Sequence, residues 1–147
     1  MKNIYIVIII FISSFISQYF IMPLIMTHNY IYITNNLAKV YLSIIVAILV
    51  ILFDAMIFDY RYNIFSLNIY AFIISGLVLF IYLYRNQIGV NDKQYLEEMI
   101  EQNSISLLTS EEILKKTDNY DVAKLAKNAC QNQNDQIRQM RELISKM

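Results

Sequence analysis

Charge is distributed so unevenly along this chain that it divides the 147 residues before any other pattern is considered. Of the 12 basic and 12 acidic residues, 18 follow Arg85. Before it stand only Lys2, Lys39, Asp54, Asp59 and Arg61. A charge in hydrocarbon costs several kcal/mol, so a stretch nearly cleared of charge is suited to a bilayer. A stretch dense in both signs is suited to water. The zero net charge averages two unlike parts.

The charge-poor part holds three long apolar runs, at about 4–26, 41–58 and 64–84. A helix needs roughly 17–25 apolar residues to cross the hydrocarbon, and a helix satisfies its own backbone hydrogen bonds there. All three runs therefore read as transmembrane helices in a 1–85 domain, and the bilayer is the first expected partner. Tyr30, Tyr32, Tyr41, Tyr60, Tyr62, Tyr82 and Tyr84 flank the runs, where the ring and the hydroxyl meet different solvents. Lys2 before an apolar run also suits a signal peptide. However, no small-x-small cleavage site follows Ile16 and the apolar stretch runs on. Lys2 and Arg61 balance Lys39 and Arg85 across the two sides, so the positive-inside count is a tie. The orientation adopted is multi-pass with the tail on the non-cytoplasmic side. Asp54 lies about one turn from the polar 59–63 stretch and reads as a carboxylate reaching the interface, towards Arg61.

From Asp92 the pattern changes to a helical period. Leu96, Ile100, Asn103, Leu107, Ser110 and Leu114 recur at steps of four and three, as do Val122, Ala126, Ala129, Gln133, Ile137, Met140 and Ile144. Thr117-Asp118-Asn119 reads as the turn between them, with Asn in the left-handed region and Asp as a cap. Asp92 is the expected N-cap of the first helix. The expected fold class is all-α: three transmembrane helices followed by an antiparallel helical hairpin, with a soluble 86–147 domain and helices at about 93–117 and 120–145. Two helices bury both faces poorly, so the hairpin is expected to dimerise into a four-helix bundle.

Each seam is interrupted by amides, Gln102 and Asn103 on the first helix and Gln133 and Gln136 on the second. Counted from the turn, Asn103 and Gln133 fall at one height. Buried amides must be hydrogen-bonded, and one such layer fixes register and partner number. Met99 and Met140 lie about a turn beyond, at spacings usual for core filler. Cys130 reads as a small buried hydrophobe, and His28 as a solvated interfacial residue. Glu97, Glu98 and Glu101, with Glu111 and Glu112, read as a solvated helix face.

The stretch Met99-Ile100-Glu101-Gln102-Asn103-Ser104 through Leu108-Thr109-Ser110-Glu111 resembles the signature of domain-of-unknown-function family 305. That signature reads Met-Ile-Pro-His-His-Ser and ends in Leu-Thr-Ser-Glu. Leu125-Ala126, Gln133, Gln136-Ile137 and Met140 are similar to the family's second helix, and a membrane-anchored subset has three preceding spans. The resemblance implies a ferritin-like half-bundle. In that family the paired histidines, suspected of holding copper, fall on Gln102 and Asn103. The proline falls on Glu101 and a glutamate on Gln136. Neutral amides are poor ligands for such ions, so the resemblance implies a scaffold whose metal site is lost, with no cofactor. The alternative is a membrane-anchored Cu(I) protein using Met99, Cys130 and Met140.

Other classes lack their residues. The tail has eight Lys/Arg against ten Asp/Glu, so there is no basic footprint for nucleic acid. There is no glycine-rich phosphate loop or nucleophile elbow, and the one histidine lies outside the tail. The expected role is non-enzymatic, with the hairpin serving self-association or the docking of a partner.

Overall fold

A computed structural model describes residues 4–147 and is helical throughout, with no strand among those residues. The helices are α1 (Ile4–Ile16), α2 (Met22–Met26), α3 (Leu37–Tyr62), α4 (Leu67–Arg85), α5 (Asp92–Leu114) and α6 (Tyr120–Ile144). A π-turn, Ser17–Ile21, joins α1 to α2, and a 3-10 turn, Tyr30–Tyr32, precedes α3. Lys2, invoked above for orientation and for the signal peptide, lies outside the described residues.

Three helical stretches are long and apolar enough to cross a membrane: Ile4–Met26, Leu37–Tyr62 and Leu67–Arg85. The second begins four residues earlier and ends four later than the apolar run, because polar Lys39 and Arg61 extend it as well as apolar residues do. The first is not one regular helix. Pro23 has no N–H to give the carbonyl four residues back, and its ring crowds that turn. The backbone takes up the mismatch as the π-turn immediately before it.

The chain forms two compact units. The first comprises the residues through Ile21 together with Leu37–Gly89, and the second Met22–Asn36 with Val90–Met147. The division at Arg85 drawn from the sequence places Met22–Asn36 with the spans, whereas its contacts gather it with the hairpin. Contact, not hydropathy, decides this, because the segment's polar backbone and side chains find partners on α5.

In the first unit α3 is central, packing on α1 and on α4. Ala38, Ser43 and Ala47 are buried on α3, and small residues let helices approach closely. The outer surface is apolar, with Phe53, Ile57, Phe65, Phe72 and Val78 mostly exposed. An apolar exterior is consistent with a membrane protein. The helix ends are closed by left-handed residues. Asn63 (φ 50°) lets Ile64 N–H reach Asp59 O, and Gln87 (φ 49°) lets Ile88 N–H reach Leu83 O, both Schellman closures. Gly89 follows at φ 78°. A Cβ there would lie 3.1 Å from Leu37 Cδ2, beside the bond from Tyr41 Oη to Ile88 O (2.9 Å).

In the second unit α5 and α6 form the hairpin, packed antiparallel along their lengths. Its buried apolar cluster is Ile100, Leu107 and Ile137, bordered by Tyr32, Cys130, Met140 and Ile144. Two caps differ from expectation. Asn91, not Asp92, caps α5, accepting from Gln94 N–H at 2.9 Å. Asn119, not an aspartate, caps α6, accepting from Asp121 and Val122 N–H. It does so from extended backbone (φ −83°, ψ 117°), not the left-handed region. In both cases the amide oxygen stands one residue outside the first helical turn, where the orphan N–H groups point.

Gly89→Ala combines a disfavoured positive φ with crowding against Leu37. It is expected to lower stability by about 1–2 kcal/mol, read as a fall in the thermal midpoint of the full chain in detergent. Ile88→Ala, one residue away, tests whether the effect belongs to the glycine conformation.

Candidate functional site

The sequence singles out α5 as a polar-interrupted seam, and the structure shows which of its polar groups meet others. Asn103 is buried and donates its Nδ2–H to Gln136 Oε1 at 3.0 Å. Gln136 itself is exposed, so the pair joins the hairpin's interior to its surface. Asn103 thus reaches a residue one turn beyond Gln133, the position that counting from the turn placed opposite it. Gln133 is half-buried, and its Oε1 is shielded from solvent with no hydrogen-bond partner. Gln102 is exposed and turned along its own helix, donating to Glu98 Oε1 at 3.0 Å. The four amides therefore do not form one closed layer. One cross-helix pair, Asn103–Gln136, links the helices.

The expected solvated acidic face of α5 is in part a binding face for the connection between α2 and α3. Glu101 is buried, and its Oε2 accepts from Thr34 N–H (2.9 Å) and Thr34 Oγ1–H (3.3 Å). The same hydroxyl lies 2.9 Å from Glu97 O. The His28 N–H is shared between Ser104 Oγ (3.0 Å) and Ser104 O (3.2 Å). His28 Nε2 lies 2.8 Å from Glu111 Oε2, with both side chains about one-third exposed. His28 is thus exposed, as the sequence reading has it, and also a contact of α5. The underlying signal was present in the sequence. Glu97, Glu101, Ser104 and Glu111 are spaced by four, three and seven, which is one helical stripe. Periodicity read on apolar residues alone passes over it.

This docking segment has its own local logic. Thr27, one residue past α2, donates its hydroxyl to Pro23 O at 2.7 Å and also bonds it through the backbone. Asn29 then accepts from Ile31 N–H (3.0 Å) and starts the 3-10 turn. That turn brings Tyr32 to the hairpin core, where the Arg141 guanidinium lies 5.8 Å from its ring centroid.

Met99, Cys130 and Met140 do not make one metal centre within a chain. Cys130 and Met140 lie ten residues apart on the unbroken helix α6, which separates them by roughly 15 Å, far beyond what a shared ion spans. Cys130 and Met140 instead border the apolar cluster. Burial first, and then the Glu111 carboxylate, push the Cys130 thiol above its ordinary value. It is therefore protonated at neutral pH and a poor nucleophile or soft ligand.

Burial pushes the Glu98 carboxyl above its usual range. The Gln102 amide opposes that shift, and the Glu101 carboxylate adds to it. No protein-family model, no curated protein and no solved structure matches this chain.

Two expected outcomes follow from this geometry. Glu101→Ala leaves the Thr34 N–H without its charged acceptor and is expected to cost about 1.5–3 kcal/mol. The cost is measured by denaturant titration of the full chain in micelles. A raised folded pKa on an acid gives stability that is complete below the unfolded value, near 4.5, and lost as pH rises through the folded value. Glu98→Gln should therefore raise the melting temperature at pH 7 and leave it unchanged at pH 4 or below.

Proposed function

We propose that this chain is an integral, multi-pass membrane protein of non-enzymatic role, whose α5–α6 hairpin acts as a self-association module. The observation that carries the reading is the mismatch between what the hairpin buries and what it shows. Its buried apolar side chains are Leu96, Ile100, Leu107, Ala126 and Ile137. At its turn end Ile113, Tyr120, Val122 and Leu125 stand exposed, Tyr120 at 77% and Leu125 at 72%. A core of that size stabilises a hairpin weakly, and exposed apolar side chains grouped at one end mark an interaction site. Two hairpins closing as a four-helix bundle is the simplest completion. The resemblance of Met99–Glu111 to the ferritin-like hairpin family supports the same half-bundle reading. The Asn103–Gln136 pair would set the register, since a polar group in an apolar seam tolerates few alignments.

The surface of the first unit supports placing α1, α3 and α4 in a bilayer, and the tail is assigned to the non-cytoplasmic side. A copper-handling role has no geometric support, given the separation of Cys130 from Met140.

Light scattering of the full chain in detergent, corrected for bound detergent, is expected to give a dimer. Leu125→Glu with Tyr120→Ser should shift it to monomer with helical content unchanged. Asn103→Leu should keep association but broaden the distribution of masses. A parent that stays monomeric across a hundredfold concentration range would falsify the proposal.

A further inference from the structure

We infer that the C-terminal half of α6 and Tyr32 together form a binding pocket for a phosphate-bearing anion. This site is separate from the association surface at the hairpin's turn end. An open cavity of about 360 Å³ is lined by Tyr32, Asn134, Ile137, Arg138, Arg141 and Glu142, with Ser145 at its end. The volume lies within the range of small-ligand sites. It exceeds a bare phosphate and leaves room for an ester group.

The spacing of the lining residues explains why they converge. Positions 134, 137, 138, 141, 142 and 145 follow at steps of three, one, three, one and three, which is one face of a helix. Ile137 is buried at the base, 3% exposed, and Tyr32 closes the other wall. Arg141 lies over that ring, an arrangement that attracts the cation to the π-face. Among the described residues no carboxylate lies within ion-pair distance of Arg141. Arg138 holds Asp135 Oδ1 through one amino group at 3.0 Å, which orients it and keeps its other donors available. The Asn134 amide supplies a further neutral donor.

The signs in the pocket compete. Glu142 and the last carbonyls of α6 disfavour an anion, as helix C-termini do. The Ser145 hydroxyl is already donated to Glu142 O at 2.8 Å. Asp135 is paired with Arg138 and Glu142 is the one lining carboxylate, so selection of an anion rests on geometry and not on an excess of charge: the planar fork of arginine matches phosphate oxygens in pairs. A phosphate is favoured over a carboxylate because it offers oxygens to both arginines and to Asn134 at once. The phosphate belongs either to a soluble phosphate ester or to a lipid headgroup, and the chemistry at the pocket is the same.

The chain has four arginines, Arg61, Arg85, Arg138 and Arg141, so their side chains are separable by NMR after selective 15N labelling. The full chain in phosphatidylcholine nanodiscs is titrated with inorganic phosphate and with glycerol phosphate. A second sample holds phosphatidic acid in the disc and no soluble phosphate. Saturable shifts of Arg141 and Arg138 are expected, with Arg61 and Arg85 unmoved by the soluble phosphates; in the second sample the pocket is read from the Arg138 shift that Arg141→Gln weakens. Saturation in the first sample assigns a soluble phosphate, and shifts confined to the second assign a headgroup. Arg141→Gln should weaken binding about tenfold, the loss of one charge-assisted contact, while Arg141→Lys restores part of it and Lys124→Gln changes nothing. Arg138 shifts report on the pocket in the Arg141 variants, and unchanged circular dichroism shows that they fold. No saturable shift in either sample, equal shifts at all four arginines with soluble phosphate, or equal weakening by Lys124→Gln overturns the site.

Discussion

The need to hydrogen-bond every backbone group that apolar side chains screen from water governs this molecule. An N–H or C=O left unpaired in an apolar setting costs several kcal/mol, and helices settle that account internally except at their ends. The architecture is therefore helical throughout, and its distinctive features collect where helices stop. Asn63 and Gln87 adopt left-handed backbone to close α3 and α4. Asn91 and Asn119 lend amide oxygens to the starts of α5 and α6. Where Pro23 breaks the ladder, the chain inserts a π-turn.

The same requirement explains the clasp on α5. The segment between α2 and α3 has no ladder of its own, so its N–H groups need acceptors. Thr34 finds Glu101 and His28 finds Ser104. A buried carboxylate is tolerated because it accepts from a backbone N–H and a hydroxyl at once. Two carboxylates of α5 are thus structural: Glu101 meets Thr34 and Glu111 meets His28, both from the connection before α3. The hairpin's apolar cluster is correspondingly small, and Tyr32 from that connection supplements it.

Polar groups also differentiate the two helices of the hairpin. On α5, Glu101, Ser104 and Glu111 reach the clasp and Asn103 reaches Gln136. On α6 the polar face is left to solvent, and its arginines gather around Tyr32. Association at the turn end and anion binding near the C-terminus would then occupy opposite ends of the same helix.

The three helices long and apolar enough to span a membrane, the hairpin and its turn were legible from residue order, because hydropathy, charge density and the helical period are local properties. Ser104 and Glu101 as partners of residues 76 and 67 positions away were not legible. Nor was the choice of Gln136 over Gln133 as the partner of Asn103, a difference of one turn that counting from the loop cannot resolve. The cap assignments failed by a residue because Asn and Asp are chemically equivalent as caps, and only backbone geometry selects between neighbours. The sequence alone decided which stretches are helical and which could meet lipid, since each depends on residues within a few turns. The tertiary structure alone decided that Met22–Asn36 belongs with the hairpin. That outcome depends on which distant donors and acceptors come within 3 Å of each other, and no local pattern encodes that distance.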